Sequence, residues 1–198
     1  MALTLSFWHN ALSFIYCIII IPIVIQAIRN DDFTNYELIL QLSMGYFPLS
    51  MIINYYEKER LFIIHHIIVI IVLFLPYVSD YNLYVKFIYY ALLAEISTVV
   101  LTLKFMIKEG TPVLYWHFKN YIDLTFMIVF WIVRIGYLTP IVYYFSLELD
   151  YEKNYYCTIL TNCLIILMMT MNYYWAVAII IKFYNAINEY LSKKNLKN

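Results

Sequence analysis

Glycine and charge are scarce in this chain. Its 198 residues include 3 Gly and 5 Pro, and only 13% are charged. Soluble domains carry about a quarter charged residues, so an ordinary water-facing surface is excluded. With so few turn residues, connections must be short. The 13 basic residues balance 13 acidic ones, and a net charge of zero supplies no field for nucleic acid. The three cysteines, Cys17, Cys157 and Cys163, lie in or beside apolar runs without a CxxC or metal-type spacing, and read as buried thiols. No Gly-rich phosphate loop, GxSxG elbow or Cys–His nucleophile motif occurs. No HxxxH or HxxE spacing occurs either, so no metal site is expected. The start, Met1 to Gln26, lacks a basic n-region, and its apolar run reads as a span rather than a cleaved signal.

What the chain has is apolar length. It is 64% hydrophobic, with a mean hydropathy of +0.73. Six runs near the roughly 20 residues that cross a bilayer as helix are read at Ala11–Ile28, Tyr36–Tyr55, Leu61–Val78, Leu83–Phe105, Tyr121–Tyr144 and Tyr156–Phe183. An acidic loop, Glu148 to Glu152, separates the last two. Helices are required, because open strands leave backbone groups unpaired in lipid. The expected fold is all-α: a polytopic transmembrane helical bundle of six spans, one transmembrane domain over residues 1–198, without repeats or linkers. Basic residues follow the even spans: Lys58 and Arg60, then Lys104, Lys108 and Lys119, then Lys182, Lys193, Lys194 and Lys197. The other side holds only Arg29, Lys86 and Lys153. The positive-inside rule therefore puts both termini in the cytoplasm.

Polar groups inside such spans face a bundle interior or a wet cavity. At about 1.5 Å per residue, His65 and His66 lie just below the cytoplasmic interface of the third span. Glu95 lies mid-span in the fourth, Arg134 mid-span in the fifth, Asp123 near the fifth's cytoplasmic mouth, and Asn172 in the cytoplasmic half of the sixth. In a continuous helix, Ala91, Glu95, Thr98 and Thr102 share one stripe, with Ser97 pointing elsewhere. Met168, Asn172 and Trp175 share a face of the sixth span. Glu95 and Arg134 suit an ion pair that fixes helix packing, and the histidines suit hydrogen bonds to a neighbouring helix. The functional alternative is acid–base work, with His65 or His66 moving a proton and Glu95 orienting the ring.

The order of these residues resembles the TLC family, named for TRAM, Lag1 and CLN8. The pieces are Gly45-Tyr46-Phe47, then His65-His66, then Glu95-Ile96-Ser97-Thr98, then Arg134, then Asn172 to Trp175. The resemblance covers about residues 36 to 190. It implies a six-span domain with cytoplasmic ends, residing in the endoplasmic reticulum or a related endomembrane. The family includes ceramide synthases, which join an acyl-CoA to a sphingoid amine using the His pair, and members tied to membrane-lipid composition, sensing or trafficking. Ala94-Glu95 and Thr98 stand where a synthase carries His-Asp and a second Asp, so the chain is closer to small members with the ExST variant.

Three functions follow. The first is a lipid-handling membrane protein, with His65, His66 and Glu95 as candidate catalytic groups and Arg134, Thr98, Asn172 and Trp175 as candidate lipid-binding groups. The second is an N-acyltransferase using acyl-CoA and a sphingoid base. The third is a transporter or channel, against which stands the lack of a repeat or a Gly/Pro-broken helix pair. Membrane lipids are the expected partners. No cofactor is expected, acyl-CoA being at most a substrate, and a homo-oligomer is left open.

Overall fold

A computed structural model describes residues 4–149 and 155–195. The acidic loop falls partly outside them, as do Lys153 and Lys197. Helix α1 is Leu5–Asn30, α2 is Tyr36–Tyr56, and α3 is Arg60–Phe74, extended by a 3-10 turn at Leu75–Tyr77. Then follow α4 at Tyr81–Leu92, α5 at Glu95–Gly110, α6 at Pro112–Phe130, a π-helical segment at Trp131–Tyr137, α7 at Leu138–Glu148 and α8 at Tyr155–Asn195. No strand occurs among the described residues. Six stretches are long and apolar enough to cross a membrane, and the all-α transmembrane bundle expected from hydropathy is the architecture found. Loops are short, as the lack of glycine implies: residues 31–35, 57–59 and 78–80 suffice for the first three turns.

The spans divide in depth. In α1, α2 and α3 the residues far from the chain's N-terminal side form the core, among them Ile20, Val24, Tyr36, Ile39, Phe47 and Leu73. Tyr84 and Phe87 of α4 and Phe145 of α7 join them, Phe87 stacking on Phe145 at 4.0 Å between centroids. The Tyr36 hydroxyl donates to the Leu73 carbonyl, tying α2 to the end of α3. The opposite half of the same spans is not filled in this way. There α1, α2, α3, α5, α6 and α8 stand around a cavity.

Three features differ from the sequence reading. The first span starts at Leu5 rather than Ala11. His9 and Asn10 look like a polar boundary, but both are bonded within the bundle, His9 to Ser50 at 2.8 Å and Asn10 to the Ser6 carbonyl at 2.8 Å. The fourth span is broken at Leu93-Ala94. The amides of Leu93, Ala94, Ile96 and Ser97 bond to carbonyls three residues back, which tightens the chain there. Ser97 Oγ also donates to the Ala94 carbonyl at 2.8 Å, a second bond to the acceptor its own amide uses. Finally, the fifth span carries the π-helical segment at Trp131–Tyr137. Its last wide bond runs from the Leu138 amide to the Val133 carbonyl five residues back, and Pro140, which has no N–H for the Gly136 carbonyl, follows directly.

Candidate functional site

The helix break and the π segment lie beside one another, and each delivers a charged group to the same place. Glu95 is the first residue of α5, immediately after the break. Arg134 is at the centre of the π segment and is buried. Their charges meet at 3.8 Å, Arg134 Nη2 to Glu95 Oε1. Arg134 Nε donates to Ser97 Oγ at 2.9 Å, Nη2 to Thr98 Oγ1 at 3.1 Å, and Nη1 to Asn172 Oδ1 at 3.4 Å. A guanidinium carries five N–H donors in a fixed plane, so it engages several acceptors spread over two helices at once. On the far side of Glu95, Cys17 Sγ donates to Oε2 at 3.7 Å. Thus α1, α5, the π segment and α8 are joined through one ion pair.

Both histidines lie on the same cavity. His65 and His66 are 7% and 6% exposed. The His65 ring meets Trp175 edge-on at 5.6 Å, and the His66 ring tilts against Phe47 at 5.2 Å. Trp175 also stacks on Phe62 at 5.3 Å, so it holds α8 against α3. The Nδ1 atoms of both histidines are buried without a hydrogen-bond partner in the protein, and so is Asn172 Nδ2. Buried polar atoms are rarely left unsatisfied in native structures, so the two imidazole nitrogens on one cavity point to a ligand or water that completes them.

The cavity has a volume of about 680 Å³ and includes His65, His66, Glu95, Thr98, Arg134 and Trp175 in its lining. That falls within the usual range for small-molecule sites, about 300–1,000 Å³. Its two walls differ in chemistry. Toward α1 and α2 it is lined by hydroxyl, amide and imidazole groups: His9, Asn10, Ser13, Tyr46, Ser50 and Asn54. Toward α5, α6 and α8 it is lined by Leu101, Phe105, Phe126, Phe130 and Ile179, with Glu95, Ser97, Thr98 and Thr102 of α5 adding polar groups on that side and Phe47 of α2 an apolar one on the other. The exposed Glu59 and Lys182 stand at its rim.

The sequence-read residues are therefore brought together, with changes. Glu95 is engaged by Arg134 and Cys17 and makes no hydrogen bond to either histidine. Ser97, expected to point away, is 2% exposed and binds Arg134. The stripe assumed an unbroken helix, and a long, forked side chain reaches two adjacent hydroxyls. Asp123 stands apart from the cavity lining, neutralised by Lys104 at 2.7 Å and Lys119 at 2.9 Å. The sequence reading missed the polar face of α1. Its signal was the spacing Ser6, Asn10, Ser13, Cys17, which repeats at helical steps of four, three and four.

These features define a class: a multi-pass helical membrane protein with an internal cavity that is polar on one wall and apolar on the other. Residues 3–181 match the TLC domain model (TRAM, LAG1, CLN8), and the chain belongs to the TLC domain family. It is similar to a TLC domain-containing protein of Acanthamoeba polyphaga mimivirus, 30% identical with 75% of each chain covered. No solved structure matches the chain.

Proposed function

We propose that this protein binds a membrane amphiphile in the cavity, its headgroup against the polar wall and an acyl chain along Leu101, Phe105, Phe126 and Phe130. The observation that carries this reading is the division of one cavity into a hydrogen-bonding wall and an aromatic-aliphatic wall. A soluble metabolite needs no such second wall, and a chain of methylenes does. The buried Nδ1 atoms of His65 and His66 supply unfilled polar positions beside the headgroup. Arg134 is already held by Glu95, Ser97, Thr98 and Asn172, so its role is to set the shape of the polar end. Thr98, Asn172 and Trp175 hold that end together. Lipid sensing or support of membrane lipid composition, including sphingolipid composition, is the activity that fits such a site. The rim carries Glu59 and Lys182 and faces the cytoplasm if the basic loops do, and the endoplasmic reticulum is the compartment we assign.

A second reading has one observation in its favour. An imidazole nitrogen without a partner is free to take a proton from an amine or to accept an acyl group. On that reading His65 or His66 catalyses N-acyl transfer from acyl-CoA to a sphingoid base, with Glu95 acting on the ring only through Arg134. Purified protein in nanodiscs, given acyl-CoA and sphinganine, separates the two. Retained lipid binding with no product supports the first reading. Product formation that is lost in His65→Ala and His66→Ala replaces it with the second. A protein that retains no lipid and makes no product contradicts both.

A further inference from the structure

Helices α1 and α2 are joined by three side-chain rungs at successive depths. Tyr16 pairs with Ser43 at 2.9 Å, Tyr46 with Ser13 at 2.8 Å, and His9 with Ser50 at 2.8 Å. Two of these are hydroxyl pairs, which suffice as glue between membrane helices. The rung nearest the rim is different in kind. His9 Nε2 faces Ser50 Oγ, and on the other side of the ring Nδ1 faces Glu57 Oε2 at 3.5 Å. A hydroxyl, an imidazole and a carboxylate in that order are the arrangement that turns a serine into a nucleophile, and apo geometries are commonly this loose. Glu57 sits at the C-cap of α2, where the backbone closes into a tight turn with Lys58 at a φ of 62°. The carboxylate is thereby placed by the α2–α3 turn, not by a mobile loop.

The chemistry around this rung continues the pattern. A carboxylate on Nδ1 selects the tautomer that carries its proton there, leaving Nε2 to accept from Ser50. Asn54, one turn beyond Ser50, donates from Nδ2 to Ser50 Oγ at 3.3 Å and is buried. An amide beside the nucleophile's oxygen is placed to turn toward an oxygen on a carbon bound there, where a donor stabilises an oxyanion. Ser50, His9, Glu57 and Asn54 all belong to the lining of the cavity. Ser50 has no open surface even toward the cavity, so a carbonyl reaches its Oγ only once a neighbouring side chain moves aside.

We propose that Ser50, His9 and Glu57 form an acyl-transfer site that acts on an ester-linked lipid, separate from the His65–His66 pair. It rests on the amphiphile-binding reading for its substrate. Ser50 Oγ attacks the ester carbonyl carbon as its proton passes to His9 Nε2, with Glu57 stabilising the imidazolium. The carbon–oxygen bond to the alcohol breaks, and the departing oxygen takes the proton from His9. Water then attacks the serine ester, giving its proton to His9. Ser50 recovers that proton as it leaves, and a free fatty acid is released.

The test is phosphonylation of the full-length protein in nanodiscs by a hexadecyl fluorophosphonate, in which a serine oxygen–phosphorus bond forms and fluoride departs. The expected result is an adduct on the peptide carrying Ser50, found by mass spectrometry in the wild type. It should disappear in Ser50→Ala and form about 100-fold more slowly in His9→Gln, the usual range for loss of a general base. Glu57→Gln should also slow it, whereas Ser43→Ala, on a rung without a carboxylate, should leave it unchanged. A folded wild type with no adduct on Ser50 overturns the proposal, and so does an unchanged rate in His9→Gln. The wild-type adduct map requires no variant to fold. Photo-cross-linking of a diazirine fatty acid in the same sample reports amphiphile binding separately.

Discussion

Removing Arg134 is the perturbation whose size the structure constrains best. Its guanidinium stands 3.8 Å from Glu95, with the two side chains 9% and 12% exposed. At that separation and an effective dielectric constant near 20, the attraction is about 4 kcal/mol. Part of this offsets the desolvation of both ions, so replacing the pair together costs less than the two single losses added. Arg134→Gln leaves Glu95 buried without a cation and takes the donor from Ser97, Thr98 and Asn172, and should cost about 3–5 kcal/mol. Glu95→Gln leaves the three hydrogen bonds of Arg134 in place and should cost about 2 kcal/mol. The double variant should fall short of the two added together by about 2 kcal/mol or more. Reversible unfolding in mixed SDS and mild-detergent micelles measures all four corners of the cycle. A coupling below about 0.5 kcal/mol would refute the reasoning, because the pair would then be screened and would not hold α5 to the π segment.

Smaller changes should follow the same logic. Ser97→Ala takes the acceptor from Arg134 Nε and should cost about 1–2 kcal/mol in the same unfolding assay, whereas Ser146→Ala, whose exposed hydroxyl bonds only to its own helix, should cost little. His66→Leu removes a buried nitrogen that has no protein partner. It should raise the melting temperature of lipid-free protein while weakening lipid retention, and a fall in stability would mean that the nitrogen is satisfied within the protein. A single cysteine at Lys58, in a background lacking the other three, should react with a membrane-impermeant maleimide only after the plasma membrane is opened. Labelling that needs the endoplasmic reticulum membrane to be opened as well would contradict the expected cytoplasmic placement of the α2–α3 turn.

Hydropathy made the spans legible because lipid requires length and apolarity and little else. It did not show the two irregularities that build the site. The break at Leu93-Ala94 contains neither Gly nor Pro, and the tightened turn is held by a serine hydroxyl and by tertiary packing, which leave no local signature. The π segment is followed by Pro140, but the residue that the segment places inward, Arg134, could be read only as a charge in an apolar run. The pairing of Glu95 with Arg134 was readable from charge, since two opposite charges at mid-span depth have few other partners. The expected link from Glu95 to a histidine was not formed, because the guanidinium occupies the carboxylate. His9 was lost for a different reason. A polar pair ten residues from the N-terminus reads as the edge of a span, and only the partner helix reveals that it lies inside.

The apolar wall of the cavity should hold an acyl chain. A fatty acid carrying a diazirine near its methyl end, bound to the purified protein and activated by light, tests this most directly. Adducts are expected on Leu101, Phe105, Phe126, Phe130 or Ile179, competed away by unlabelled lipid. Adducts confined to outward-facing residues such as Ile128, Ile132 and Ile166, and insensitive to competitor, would contradict it.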